Sequence, residues 1–348
     1  MGYLRWALAM SVVLTHVLHS KWYMGFGGAN SVEVFFFLSG FLMQLVIRYR
    51  YRSSFKFLLN RMLRIYPTYY LVLAATFLYL YKHQDGAFLN SALIEHGNQP
   101  VVSVISVFSN LTLIGSDSLN FINYSISDGF GLVSRNNGLG NLSLLLLIAP
   151  AWSLGLELTC YIFVPIFSKL KTRKIAFVIS MLLCLRAYCF LRGYTEDPWT
   201  YRFLMFEIPI FLLGMILARL QINYNFTKKL GSLKVLAIVV AFFLSIGAVN
   251  YFMNPPRYII LFALICVSAL IVLFGREDRT SKYLGKLSYP IYLSHVLIGE
   301  VSTTLFGDLI SNEIILLLIF LVVLHIASSI VLILVNPIER FRSSNRAD

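Results

Sequence analysis

Ten apolar runs, each about long enough to cross a lipid bilayer, recur along this chain. They lie at about 4–20, 32–49, 66–82, 142–168, 175–191, 201–220, 233–253, 257–274, 287–306 and 313–335, and a crossing takes about 20 residues of helix. Lipid offers the backbone no hydrogen-bond partners, so each run must satisfy its own N–H and C=O groups by coiling. The expected fold class is all-α: a polytopic integral membrane protein of about ten transmembrane helices. Composition points the same way. Over 348 residues 58% are hydrophobic and 13% charged, against about 25% charged in an ordinary soluble domain, which excludes a soluble enzyme. So much apolar surface also excludes a disordered chain. Ten crossings consume about 200 residues, leaving no polar stretch long enough for a separate folded domain.

The loops alternate in charge. Arg48, Arg50, Arg52, Lys56, Arg61 and Arg64 crowd the second; Lys169, Lys171, Arg173 and Lys174 the fourth; Arg219, Lys228, Lys229 and Lys234 the sixth; Arg276, Arg279, Lys282 and Lys286 the eighth. Odd-numbered loops carry little: Lys21, Arg135, Arg192 and Arg257 stand one to a loop, and 307–312 has none. Lys and Arg excess marks the cytoplasmic side, so both termini are expected in the cytoplasm. The chain then divides into a membrane domain at 1–340, with one long extracytoplasmic loop at 83–141, and a cytoplasmic tail at 341–348 carrying Arg342 and Arg346. Within that loop the run 101–114 is short and interrupted by Ser and Asn, which suits a re-entrant or interfacial segment. The formal charge of +13 is accounted for by these loops, so nucleic acid is not an expected partner; membrane lipid is. Cys160, Cys184, Cys189 and Cys266 lie within apolar stretches without metal-ligand spacing, and no metal is expected. The first run holds His16 and lacks a small-residue cleavage site, so it is expected to remain as a span.

Ionisable groups inside spans are expensive and mark candidate sites. Here they are His16, Glu33, Glu157, Arg186, Glu207, His295, Glu300 and His325. Arg5 and His16 are eleven residues apart, which returns a helix to within about 20° of the same face and separates them by roughly 16 Å along the axis. A phosphate held at Arg5 would leave a pantetheine-length arm ending near His16. An interfacial Arg and a packed His fit the spacing equally. Glu33 opens the second span at a similar depth and could orient the His16 imidazole, or stand solvated at the interface. Arg61 and Arg64, three residues apart, face the same way and could clamp phosphates, or serve topology alone. Glu157 and His295 fall at comparable depth and could line one polar cavity. Ser39 is better read as bonded to its own helix than as a nucleophile.

Together the motifs Arg5-x10-His16, Ser31-Val-Glu33-Val-Phe-Phe-Phe-Leu-Ser39-Gly40, Arg61-x2-Arg64-Ile-Tyr-Pro67, Trp152-Ser-Leu-x2-Glu157 and Leu284-Gly-Lys-Leu-Ser-Tyr289-x2-Tyr292-x2-His295 resemble, in order, the acyltransferase-3 family of membrane O-acyltransferases. The resemblance implies transfer of acetyl or another short acyl group from cytoplasmic acyl-CoA to hydroxyls of extracytoplasmic or lipid-linked glycans such as O-antigen, exopolysaccharide or peptidoglycan sugars, in a bacterial cytoplasmic membrane. It implies acetyl-CoA as co-substrate, His16 with Glu33 as the catalytic pair, and Arg5, Arg61 and Arg64 on the CoA phosphates. Ser39, Trp152, Glu157, Tyr289 and His295 would line or support the cavity. Many relatives carry an SGNH hydrolase-like domain that completes the transfer; this chain shows none, so it is expected to act alone or with a separate extracytoplasmic transferase partner. The loop 83–141 is the expected contact for the acceptor glycan. A transporter or flippase, using the same buried groups as a proton path, is the alternative.

Overall fold

The structure is a computed structural model that describes all residues except 18–24, 52, 84–98, 126–128, 134–140, 225, 227–228, 254–255, 308–309, 311 and 345–348. Outside the described residues therefore lie Lys21, Arg52, Arg135, Lys228 and Arg346 from the charge pattern, much of the loop 83–141 and half of the tail 341–348.

The architecture is all-α, as expected of a polytopic membrane protein. Each of the ten apolar runs lies largely within a long helix: α1 (Gly2–Val17), α2 (Gly28–Arg50), α3 (Ser54–Lys82), α5 (Ala151–Lys169), α6 (Thr172–Leu191), α7 (Leu204–Tyr224), α8 (Ser232–Met253), α9 (Arg257–Phe274), α10 (Arg279–Phe306) and α11 (Glu313–Ser344). Seven of these, α2, α5 to α9 and α11, are long and apolar enough to cross a membrane by length and composition alone. The shorter α4 (Pro100–Thr112) takes up most of the 101–114 run.

Boundaries shift for local reasons. Ser53 caps α3 by accepting from the Lys56 N–H, so Lys56, Arg61 and Arg64 ride on a helix that starts well before its apolar stretch. Asp278 caps α10 in the same way, its Oδ1 accepting from Ser281 N at 2.7 Å. Conversely, 142–150 is not helical in the manner of a span. Pro150 stands at the N-cap of α5, a proline disfavours helix in the residue before it, and Leu142–Leu145 instead forms a 3-10 turn capped by Asn141. The same loop region holds a hairpin absent from the sequence reading, β1 (Ile122–Ser125) against β2 (Gly129–Leu132), with Asn123 opposite Gly131. The helix α11 runs through Ser344, into the stretch set apart as a tail.

The chain forms two compact units, one of Met1–Leu45 with Leu213–Asn345 and one of Val46–Leu212. In the first, α1 packs along α10, α10 along α11, and α1 also meets α8. Ala9, Met10 and Val13 of α1 form a buried cluster with Leu287 and Ile291 of α10 and Phe320 and Leu324 of α11. Close helix approach depends on small residues. A Cβ at Gly214 of α7 would stand 2.0 Å from the Phe37 carbonyl of α2, and one at Gly2 would stand 1.7 Å from that of Ser281. Gly214→Ala is therefore expected to cost about 1–3 kcal/mol through forced separation of α2 and α7. Thermal unfolding in detergent checks this, and an unchanged melting temperature would refute the contact.

In the second unit the end of α4 is held by α3. Tyr69, Tyr70 and Tyr66 donate their hydroxyls to the carbonyls of Asn110 (2.6 Å), Leu111 (2.7 Å) and Thr112 (2.5 Å). Terminal carbonyls of a helix have no partner within it, so this tyrosine cluster supplies the donors that water would otherwise provide. Leu113 then takes a left-handed conformation, φ 60°, and ends the helix.

Candidate functional site

In the first unit the site begins with the relation of α1 to α10. Near the start of α1 the Tyr3 hydroxyl reaches both carboxylate oxygens of Asp278, at 3.1 and 3.0 Å. The Ser281 N–H, with the Tyr3 hydroxyl adding to it, holds the Asp278 carboxyl below its usual range. Further along, Met10 and Val13 meet Leu287 and Ile291, and His16 meets His295 with ring centroids 5.0 Å apart. Residue numbers rise together on the two helices, so they run parallel.

Both imidazoles are anchored by their own helices. His16 Nδ1 lies 2.8 Å from the Val12 carbonyl and His295 Nδ1 lies 2.7 Å from that of Tyr292. A carbonyl only accepts, so each Nδ1 carries the hydrogen, and the proton-accepting lone pair of each neutral ring is on Nε2. His16 is exposed, whereas His295 is 1% exposed. Tyr292 packs its ring 6.1 Å from that of His295 and 6.2 Å from Phe35 of α2. Arg5, Ser39 and Tyr289 are half-buried on α1, α2 and α10.

The structure adds partners that the sequence reading did not foresee for two of these groups. The bond that sets the His16 tautomer goes to Val12, and the fully buried Glu33 carboxylate receives the Arg257 guanidinium, which also donates from Nε to Asn30 Oδ1 at 3.0 Å. A buried carboxylate needs a compensating positive charge, and Arg257 supplies one to Glu33. His295 neighbours His16 in the first unit, and Glu157, in the second, accepts the Tyr161 hydroxyl one turn along α5.

Arg61 and Arg64 of α3 lie within electrostatic reach of that Tyr161 hydroxyl, so both guanidiniums, Tyr161 and Glu157 form one polar group in the second unit. Arg61 is buried, donates to Asn60 Oδ1 at 2.7 Å and lies over the Phe57 ring. Trp152 has a structural setting. Its ring lies 4.6 Å under the Arg202 guanidinium, and Arg202 also binds Asp197 Oδ1 at 2.8 Å and Asn120 Oδ1 at 2.9 Å. Arg202 thereby ties the segment before α7 to the turn preceding the hairpin, and Trp199 adds a bond to the Val133 carbonyl at 3.1 Å.

The family model described as an acyltransferase domain matches residues 1–334. The chain belongs to the acyltransferase-3 family. It is a membrane acyltransferase, and the five motifs lie within the matched region. An uncharacterized protein of Aquifex aeolicus (strain VF5) is 27% identical to this acyltransferase over 206 residues, covering 56% of this chain and 89% of its own. No solved structure matches.

Sequence reasoning passed over two residues of this acyltransferase that the structure makes prominent. Arg257 counted only as the single cation of a short connection, although a lone cation and a lone acid at neighbouring span ends were a usable pairing signal. Tyr161 sits four residues after Glu157, the separation at which helix side chains meet, and that spacing was available.

Proposed function

We propose that this acyltransferase moves an acetyl or other short acyl group from cytoplasmic acyl-CoA to a hydroxyl of an extracytoplasmic or lipid-linked glycan, with His16 as general base. The observation that carries the reading is the exposed His16 ring, whose Nδ1–H is spent on Val12 and whose Nε2 is the nitrogen that takes a proton. In the proposed step the hydroxyl proton passes to Nε2 as its oxygen attacks the thioester carbonyl. The C–S bond then breaks, and the proton returns to the departing sulfur. Arg5, one three-turn stripe below His16, is the candidate for the CoA phosphates in the first unit, and the family pattern gives the same role to Arg61 and Arg64.

Transfer of label from radiolabelled acetyl-CoA to base-labile glycan esters, in membranes containing or lacking the protein, tests the reading. Label in glycan esters that depends on the protein supports it. Protein-dependent passage of glycan across the membrane without acyl-CoA supports a transporter instead. A phosphate-clamping arginine makes charge-assisted bonds worth about 1.5–3 kcal/mol. Arg64→Ala is therefore expected to raise the KM for acetyl-CoA roughly 10- to 100-fold, and an unchanged KM removes Arg64 from donor binding.

A further inference from the structure

The seam between α1 and α10 has two sides, and α11 closes one of them. The line of closest approach runs through two glycines: a Cβ at Gly285 would stand 2.9 Å from the Gly2 Cα. On the closed side Trp6 Nε1 donates to His325 Nε2 at 3.1 Å, and Met10, Leu287 and Ile291 cluster with Phe320 and Leu324. At about 100° per residue, Arg5 and His16 turn to the side of α1 away from Trp6 and Met10. By the same rotation Lys282 and Lys286 turn to the side of α10 away from Leu287 and Ile291. Viewed down the axes of two parallel helices, these two sides coincide. Arg5, His16, Lys282 and Lys286 therefore share the side of the seam opposite α11. Both lysines are exposed. Topology requires such cations at one end of α10 but not on one side of it.

The helices also set depth. Counted back from the contact between His16 and His295, Arg5 is 11 residues away on α1, and Lys286 and Lys282 are 9 and 13 residues away on α10. Those counts correspond to roughly 16, 14 and 20 Å along the axes. Side chains slant toward the N-terminus of their helix, here the end that the basic loops mark as cytoplasmic, so all three cations reach toward the same mouth. An acyl-CoA lying with its thioester at His16 carries its diphosphate at the far end of the pantetheine arm and its adenosine 3′-phosphate beyond that. We propose that Lys286, with Arg5, holds the diphosphate of the donor and that Lys282, one turn nearer the mouth, holds the 3′-phosphate. The proposal rests on acyl-CoA being the donor and deepens that reading. One arginine leaves most of the charge on such a donor unmatched, and lysine serves a phosphate as a point charge. Contacts of this kind bind ground state and transition state alike, so their loss appears in KM and not in kcat.

Two donors separate the two phosphates: acetyl-CoA and 3′-dephospho-acetyl-CoA. Lys282→Gln should raise the KM for acetyl-CoA roughly 3- to 10-fold, the range for contacts made by exposed side chains, and leave the KM for the dephospho donor within about twofold of wild type. Lys286→Gln should raise both KM values by a similar factor. In each variant kcat should stay within about twofold, and Lys282→Arg, which keeps the charge, should stay near wild type throughout. Lys174→Gln removes an exposed cation of the second unit and should leave both KM values unchanged, which distinguishes a local contact from general attraction of a charged donor. A rise in Lys282→Gln that is equal for the two donors, or an equal rise in Lys174→Gln, would overturn the assignment. The two possible failures are distinguishable. Absence of transfer from acetyl-CoA by the wild-type protein refutes the donor reading itself. Transfer by wild type, with unmoved KM values in both lysine variants, leaves that reading standing and refutes only the role of the lysines.

Discussion

His16→Ala will lower acyl transfer by roughly 10²–10⁴-fold, the range that general-base assistance typically supplies, while the protein still inserts and folds. The side chain is exposed, and the bond anchoring it goes to the backbone of its own helix. The α1–α10 interface is held elsewhere, by Tyr3 on Asp278 and by the buried cluster of Met10, Val13, Leu287 and Ile291. Truncation at His16 therefore removes a proton acceptor and little packing. Initial rates of label transfer from acetyl-CoA, normalised to the amount of folded protein in the membrane, give the measurement. His16→Gln sharpens it, because an amide can hydrogen-bond in that position but cannot hold a proton at neutral pH, so it should be as inactive as alanine. Activity within a few-fold of wild type in either variant would remove His16 from the chemistry. Inactivity coupled to a large fall in melting temperature would assign it to the fold.

The helices were legible because hydrocarbon permits few backbone solutions, and a run such as 313–335 has no other way to satisfy its amides. Helical spacing was equally reliable within one element: it put Arg5 and His16 on one stripe, and it offered the Glu157–Tyr161 contact. What one sequence does not encode is which helix stands beside which. Depth equated Glu33 with His16 and Glu157 with His295. The structure gives Glu33 a partner 224 residues away in Arg257 and sets the ring of His16 beside His295, neither of which depth specifies. Depth is a single coordinate, and side-chain pairing needs the other two. The hairpin at 122–132 escaped for another reason. Its strands are four residues each, so the alternation in Ile122-Asn-Tyr-Ser125 and Gly129-Phe-Gly-Leu132 is at the shortest length that can be read as a strand. The contacts fixing that region, Arg202 on Asn120 and Trp199 on Val133, bridge distant segments.

The Glu33–Arg257 pair carries the largest expected effect on stability, and its two ends should respond unequally. Glu33 is 0% exposed, whereas Arg257 retains 26% exposure. Arg257→Met leaves a buried carboxylate without its cation, and breaking such a pair from one side costs about 3–5 kcal/mol. Glu33→Gln leaves a guanidinium that can still bond to Asn30 and reach toward solvent, so its cost should be clearly smaller. Replacing both, as Glu33→Leu with Arg257→Met, removes the uncompensated charge along with the pair and should return much of the stability lost in Arg257→Met alone. The order expected in thermal unfolding is thus wild type, then Glu33→Gln and the double variant, then Arg257→Met. Melting temperatures of the purified variants in one detergent give that order directly. Were Arg257→Met no less stable than Glu33→Gln, the carboxylate would not depend on this cation, and α2 and α9 would owe their association to packing. Should the double variant be the least stable, the pair itself, rather than the penalty of an unpaired charge, would be holding the two helices together.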